Sequence, residues 1–257
     1  MNKHMPTGVV GILCQKAIAG CYMLHLLSIP TTLKSRKLKT IVTLSGKNAW
    51  FFVPFLLWVI TGAILQVFFF SHEELFLAIN SFHAPWADVI MTGLTYVGDG
   101  ITFGIMLAVI LAMRKYRMFL NAGCILLLVT ILVQTAKHFF NAPRPIKYFE
   151  NPAIIHTVKW VTVHGGCSFP SGHTTTAFAM FCFLALITRN KMMGLVYVLL
   201  AFVAAWSRIY LAQHFFIDVY VGSIIGTSSS LLLYMVFDKR KRSTPAEIIP
   251  EAAIGLS

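Results

Sequence analysis

Two residues four positions apart, His214 and Asp218 in SRIYLAQHFFIDVYVG, can do chemistry together. On a helical turn that spacing puts both side chains on one face, so the carboxylate can hold one imidazole nitrogen and leave the other free and more nucleophilic. Arg208, six positions earlier, carries a planar fork of donors suited to phosphate oxygens. A second stretch, CSFPSGHTTTAF, sets His173 at the mouth of a long apolar run. A helix starting near Ser171 exposes unpaired amides and the positive end of its dipole, which together receive an anion. Ser171 also reads as a plain N-cap and Gly172 as a point of close packing. A third stretch, KHFFNAPRP, adds Lys137 and Arg144. A lysine at the end of an apolar segment is ordinarily a snorkelling anchor, and an Asp/His/Arg cluster can serve only to stabilise helix ends.

Choosing between these readings requires the elements that carry the residues. The chain has 257 residues, 57% of them hydrophobic and 12% charged, too apolar a mixture for a soluble globule of this length. An integral membrane protein with one bundle is expected, since no linker or low-complexity tract divides the chain. Apolar runs of about 20 residues are needed to cross a bilayer, and candidates fall near 49–70, 98–113, 118–140, 173–188, 192–211 and 218–237. Between the first two, SHEELFLAINSFHAPWADVIM has apolar residues at helical spacing interrupted by Glu73, Glu74 and Asp88, the pattern of an amphipathic helix in the interface. The expected fold is all-α: a six-span transmembrane bundle over 49–237 with an interfacial amphipathic helix between spans one and two. A basic extension over 1–48 precedes it, and a cytoplasmic tail over 238–257 follows.

All but five of the 21 Lys and Arg residues fall on one side of such a bundle, before the first span, in short loops and at Lys239 to Arg242. By the positive-inside rule, both termini are cytoplasmic. The net charge of +12 is then mostly a topology signal, and no basic stretch interleaved with aromatics points to nucleic acid. The extension resembles a signal peptide only in outline, because its cationic block TTLKSRKLKT follows the apolar part. Of five cysteines, Cys124 and Cys182 lie within spans and only Cys167 in an external loop, so neither a disulfide framework nor a zinc site is expected.

The five remaining cations, Lys137, Arg144, Lys147, Lys159 and Arg208, all lie on the external side. Lys137, Arg144, Arg208, Ser171, His173, His214 and Asp218 therefore meet at one membrane surface. That set is a phosphate site with a nucleophile and an acid, open to a charged head at the interface while an apolar tail stays in lipid.

The three stretches, read as K-x6-RP, PSGH and SR-x5-H-x3-D in this order, resemble the signature of the type 2 phosphatidic acid phosphatase family. The match runs from Lys137 to Asp218, and the six-span layout extends the likeness to 49–237. The resemblance implies that His214 attacks phosphorus to form a phosphohistidine, oriented by Asp218, and that His173 protonates the leaving oxygen. It implies that Lys137, Arg144, Ser171, the Gly172 amide and Arg208 bind the phosphoryl oxygens, that water completes the hydrolysis, and that no metal or other cofactor is needed. The expected function is a phosphatase acting on a lipid phosphate or diphosphate at the outer face of a bacterial cytoplasmic membrane. Undecaprenyl diphosphate, phosphatidylglycerol phosphate, phosphatidic acid and lipid A phosphates are all compatible substrates. A lipid phosphotransferase, or a transporter or scaffold without catalysis, is the alternative. His138, His156 and His164 read as interfacial or solvated histidines, Glu150, Lys147 and Lys159 as parts of a solvated loop, Gly222 and Gly226 as helix packing, and Asp99 as a turn residue.

Overall fold

The computed structural model describes residues 41–69, 71–163 and 165–243; the extension through residue 40, His164 and the tail from residue 244 lie outside the described residues. Regular structure among the described residues is entirely helical. Helix α1 (Ala49–Ile64) runs on through a π-helical turn, Leu65–Phe69. Helix α2 (His72–Asn80) opens with a capping box, in which Ser71 Oγ accepts from the Glu74 amide and Glu74 Oε2 from the Ser71 amide. Helix α3 (Pro85–Thr95) ends in a 3-10 turn, Tyr96–Gly98, and α4 (Gly100–Ala112) follows, capped by Asp99. The remaining helices are α5 (Tyr116–Phe140), the short α6 (Pro145–Tyr148), α7 (Gly172–Ile187), α8 (Met193–Tyr210) and α9 (Phe216–Ser243).

Four stretches, Ala49–Phe68, Tyr116–Tyr148, Met193–Tyr210 and Phe216–Asp238, are long and apolar enough to cross a membrane. The pair α3 and α4, bent by 50°, counts as a fifth candidate if taken as one span. Here the structure departs from the expected single interfacial helix over 71–91. Pro85 bars the α conformation from its predecessor, and Ala84 is extended at φ −154 and ψ 151, so the segment breaks into α2 and α3. The expected second span, 98–113, also differs. With 13 residues, α4 reaches only about 20 Å, and it needs α3 in front of it to traverse the roughly 30 Å of hydrocarbon.

Helix α7 is apolar but only 16 residues long, and it is the helix the others surround. Thr174, Thr175, Phe178, Ala179, Cys182 and Phe183 are buried on all its faces. Lipid tails are as apolar as leucine, so helices here associate through close packing and hydrogen bonds rather than by escaping water. Small residues supply the closeness. A Cβ on Gly222 of α9 would lie 2.9 Å from the Ser171 carbonyl oxygen, and one on Gly226 would press on the Thr175 backbone. The packing reading of GSIIG holds. Its effect is to fix the N-terminus of α9 against that of α7, where the polar residues converge.

Candidate active site

Helix α5 delivers Lys137 in its last turn, then stops at Asn141, whose left-handed backbone (φ 41) lets its amide bond the Lys137 carbonyl at 2.9 Å. Ser171 caps α7, its Oγ accepting from the Thr174 amide at 3.4 Å and the Thr174 hydroxyl at 2.9 Å. The Ser171 amide in turn donates to the Asp218 carbonyl at 3.0 Å, tying the starts of α7 and α9 together. Because Gly172 has no side chain, the Lys137 ammonium lies 4.0 Å from where its Cβ would be. The cation thus stands beside the exposed amides of the α7 N-terminus.

Expectation places His214 and Asp218 on one helical turn, but His214 sits two residues before α9 begins. Its position is set instead by a tight turn after α8, where Ala212 is left-handed (φ 52) and the amides of Gln213 and His214 both bond the Arg208 carbonyl at 3.0 and 3.2 Å. His214 Nδ1 still reaches Asp218 Oδ2 at 3.4 Å. The same oxygen accepts from the Phe215 amide at 3.0 Å and from the Ser168 hydroxyl, whose Oγ is also 3.4 Å from His214 Nδ1. Asp218 is held from three directions, and Nδ1 is the ring nitrogen it faces. Nε2 is the ring nitrogen that Asp218 does not engage.

His214 is 1% exposed. Burial pushes its pKa well below the ordinary 6.5, and the charges of Arg208, Arg144 and Lys137 push the same way. The imidazole is therefore neutral at physiological pH, the form that can attack an electrophile.

Arg144 and Arg208 are 8% and 7% exposed. Among the described residues neither has a carboxylate within 4.0 Å. Arg144 donates through Nε to the Gly166 carbonyl at 3.0 Å and through Nη1 to Gln213 Oε1 at 2.6 Å, while Gln213 Nε2 donates to the Thr162 carbonyl at 3.0 Å. Arg208 donates through Nη1 to Thr95 Oγ1 at 2.6 Å, and its buried Nε has no acceptor. Neutral partners orient both guanidinium groups without cancelling their charge. A buried charge without a counter-ion is costly, and an anion with several oxygens placed between Arg144, Arg208 and Lys137 removes that cost.

His173 lies in the first turn of α7, 34% exposed in its side chain, with Nε2 3.9 Å from Asp99 Oδ2. The structure thus gathers Lys137, Arg144, Ser171, Gly172, His173, Arg208, His214 and Asp218 at one end of the bundle. It adds four residues that the sequence reading passed over or treated as a turn: Thr95, Asp99, Ser168 and Gln213. Ser168 had a faint signal, three positions before Ser171 in the same motif; nothing local marks the others. His138, Lys147, Glu150 and Lys159 are exposed, and His156 Nε2 is taken up by Asp88 at 2.8 Å. Among the described residues no group of three His, Cys, Asp or Glu side chains is arranged to hold a metal ion.

Comparison with known proteins meets this geometry. Residues 118–242 match the model of the PAP2 superfamily, a span that holds all eight gathered residues. The chain is 28% identical over 175 residues to a lipid A 4'-phosphatase of Bacteroides thetaiotaomicron, covering 65% of this chain and 76% of that one. It is 29% identical over 173 residues to phosphatidylglycerophosphatase B of Bacillus subtilis, covering 61% and 77%. The crystal structure of Aquifex aeolicus LpxE superposes with a TM-score of 0.57 at 30% identity, covering 66% of this chain and 98% of that one. The three motifs, the helical bundle that unites them and these relatives place the chain in the PAP2 superfamily of membrane proteins.

Proposed function

We propose that the protein hydrolyses a lipid phosphate monoester or diphosphate through a phosphohistidine on His214. The observation that carries this is a buried neutral imidazole beside Asp218, facing three cations that lack a carboxylate partner among the described residues. In the first half-reaction His214 Nε2 attacks phosphorus as the bond from phosphorus to the leaving oxygen breaks, and His173 gives that oxygen a proton. Asp218 stabilises the charge that builds on the His214 ring. Lys137, Arg144, Arg208, the Ser171 hydroxyl and the Gly172 amide take up charge on the phosphoryl oxygens as the transition state forms. In the second half, water attacks the phosphohistidine, gives its proton to His173 and releases inorganic phosphate. Side chains and amides supply every group this scheme invokes besides the attacking water.

The relatives named above act on lipid A and, by name, on phosphatidylglycerol phosphate. Their common feature is a phosphate on an amphiphile, and that is the substrate class proposed here. The chain is read as six spans, with bent α3/α4 as the second and short, enclosed α7 as the fourth, both termini cytoplasmic and the site at the periplasmic face of a bacterial inner membrane. The bias of Lys and Arg toward the opposite side supports that orientation.

The test is phosphate release in detergent with a chelator present, across lipid phosphates and diphosphates, for the wild type and His214→Ala. Release that survives the chelator and disappears in the variant is the expected result. Equal release from both proteins overturns the reading. A phosphorylated lipid product in place of free phosphate identifies a phosphotransferase instead.

A further inference from the structure

We infer that Asp99 is a positioning residue for His173, holding it as the imidazolium that donates the proton, an inference that rests on the hydrolase reading above. The sequence assigns Asp99 only to a turn, and its structural duty is indeed local: Oδ1 accepts from the Ile101 amide at 3.2 Å and caps α4. Its second oxygen does something a cap does not require. Oδ2 faces His173 Nε2 at 3.9 Å across the gap between the bend of α3/α4 and the first turn of α7. The two backbones are locked together there, because a Cβ on Gly98 would lie 2.8 Å from the His173 carbonyl oxygen. The carboxylate is fixed opposite the ring by both contacts.

Charge gives that placement its meaning. The charged groups acting on His173 are Arg208 on α8, Lys137 on α5, Arg144 ahead of α6, and Asp99. Burial first, and then the three cations, favour loss of the proton His173 must carry, and Asp99 is the anion that opposes them. At 3.9 Å the interaction is coulombic rather than a hydrogen bond. With side chains 34% and 28% exposed, it is screened by salt. During turnover the proton goes from His173 to the leaving oxygen and returns from the attacking water.

The experiment compares pH profiles of kcat/KM on one lipid phosphate for the full-length wild type, Asp99→Asn and Asp99→Ser in detergent. Asn and Ser both cap helices about as well as Asp, so a purely structural role leaves the profile where it is. The expected result is an alkaline limb moved to lower pH by about one unit in both variants, with activity on that limb down roughly tenfold and the difference from wild type shrinking at high salt. An alkaline limb that stays put, or a uniform loss at every pH, overturns the inference while leaving the hydrolase reading intact. No phosphate release by the wild type overturns the hydrolase reading and the role of Asp99 with it.

Discussion

Gln213, the residue next to His214, points its amide oxygen away from that histidine and onto the Arg144 guanidinium, 2.6 Å from Nη1. Its amide nitrogen holds the Thr162 carbonyl at 3.0 Å, so one side chain links the turn before α9, the loop preceding α7 and the Arg144 guanidinium. Gln213→Leu keeps similar bulk and removes both bonds. A hydrogen bond to a charged group contributes about 1.5–3 kcal/mol, so kcat/KM is expected to fall about tenfold or more, chiefly through KM. Steady-state kinetics on a single lipid phosphate check this, and an unchanged KM would show that Arg144 needs no such support.

Thr95 does for Arg208 what Gln213 does for Arg144, from a helix 113 positions away. Thr95→Val is nearly isosteric and leaves Nη1 without its hydroxyl acceptor, beside an Nε that already lacks one. The expected outcome is a fall in kcat/KM of about tenfold, restored by Thr95→Ser. Failure of serine to restore activity would assign the loss to packing instead.

The His72 ring lies tilted against Phe215, ring centroids 4.0 Å apart, next to His214. Burial lowers its pKa to about 4, against a weaker raising effect of Glu73. The folded state thus refuses a proton that the unfolded chain accepts below pH 6.5, and stability falls as pH drops from 6.5 toward 4. His72→Phe keeps an aromatic ring against Phe215 and removes the titration. Thermal unfolding in detergent should show a shallower loss of Tm between pH 6.5 and 4.5 for the variant, and parallel curves would contradict the assignment.

Gly222→Ala puts a methyl group 2.9 Å from the Ser171 carbonyl oxygen, a backbone atom that cannot swing aside. Overpacking of this kind costs about 1–3 kcal/mol. Because Ser171 also bonds Asp218, the displacement reaches the site. Lower Tm and lower kcat should appear together; full activity with unchanged Tm would mean the helices can part at no cost.

The sequence by itself determined which charged and titratable residues make up the candidate site and why they belong together. Spacing along a helix, a cap before an apolar run and the bias of charge across the membrane are local or additive properties, readable from residues a few positions apart. The same locality placed α5, α7 and α8 to within two residues of their observed ends and the start of α9 likewise, while α9 runs on to Ser243, six residues past the expected end. Proline-dependent geometry at Pro85, and the shortness of α4, were present in the letters but compete with an amphipathic pattern that runs across 71–91. Only the tertiary structure decided that competition, by packing bent α3/α4 against α7 and α8. It also decided which neutral side chains orient the cations. Thr95 meets Arg208, Asp99 meets His173, and Gln213 meets Arg144 because close helix packing in lipid brings distant positions within hydrogen-bond or coulombic reach, and no spacing rule along the chain encodes a contact made across 69 or 113 residues.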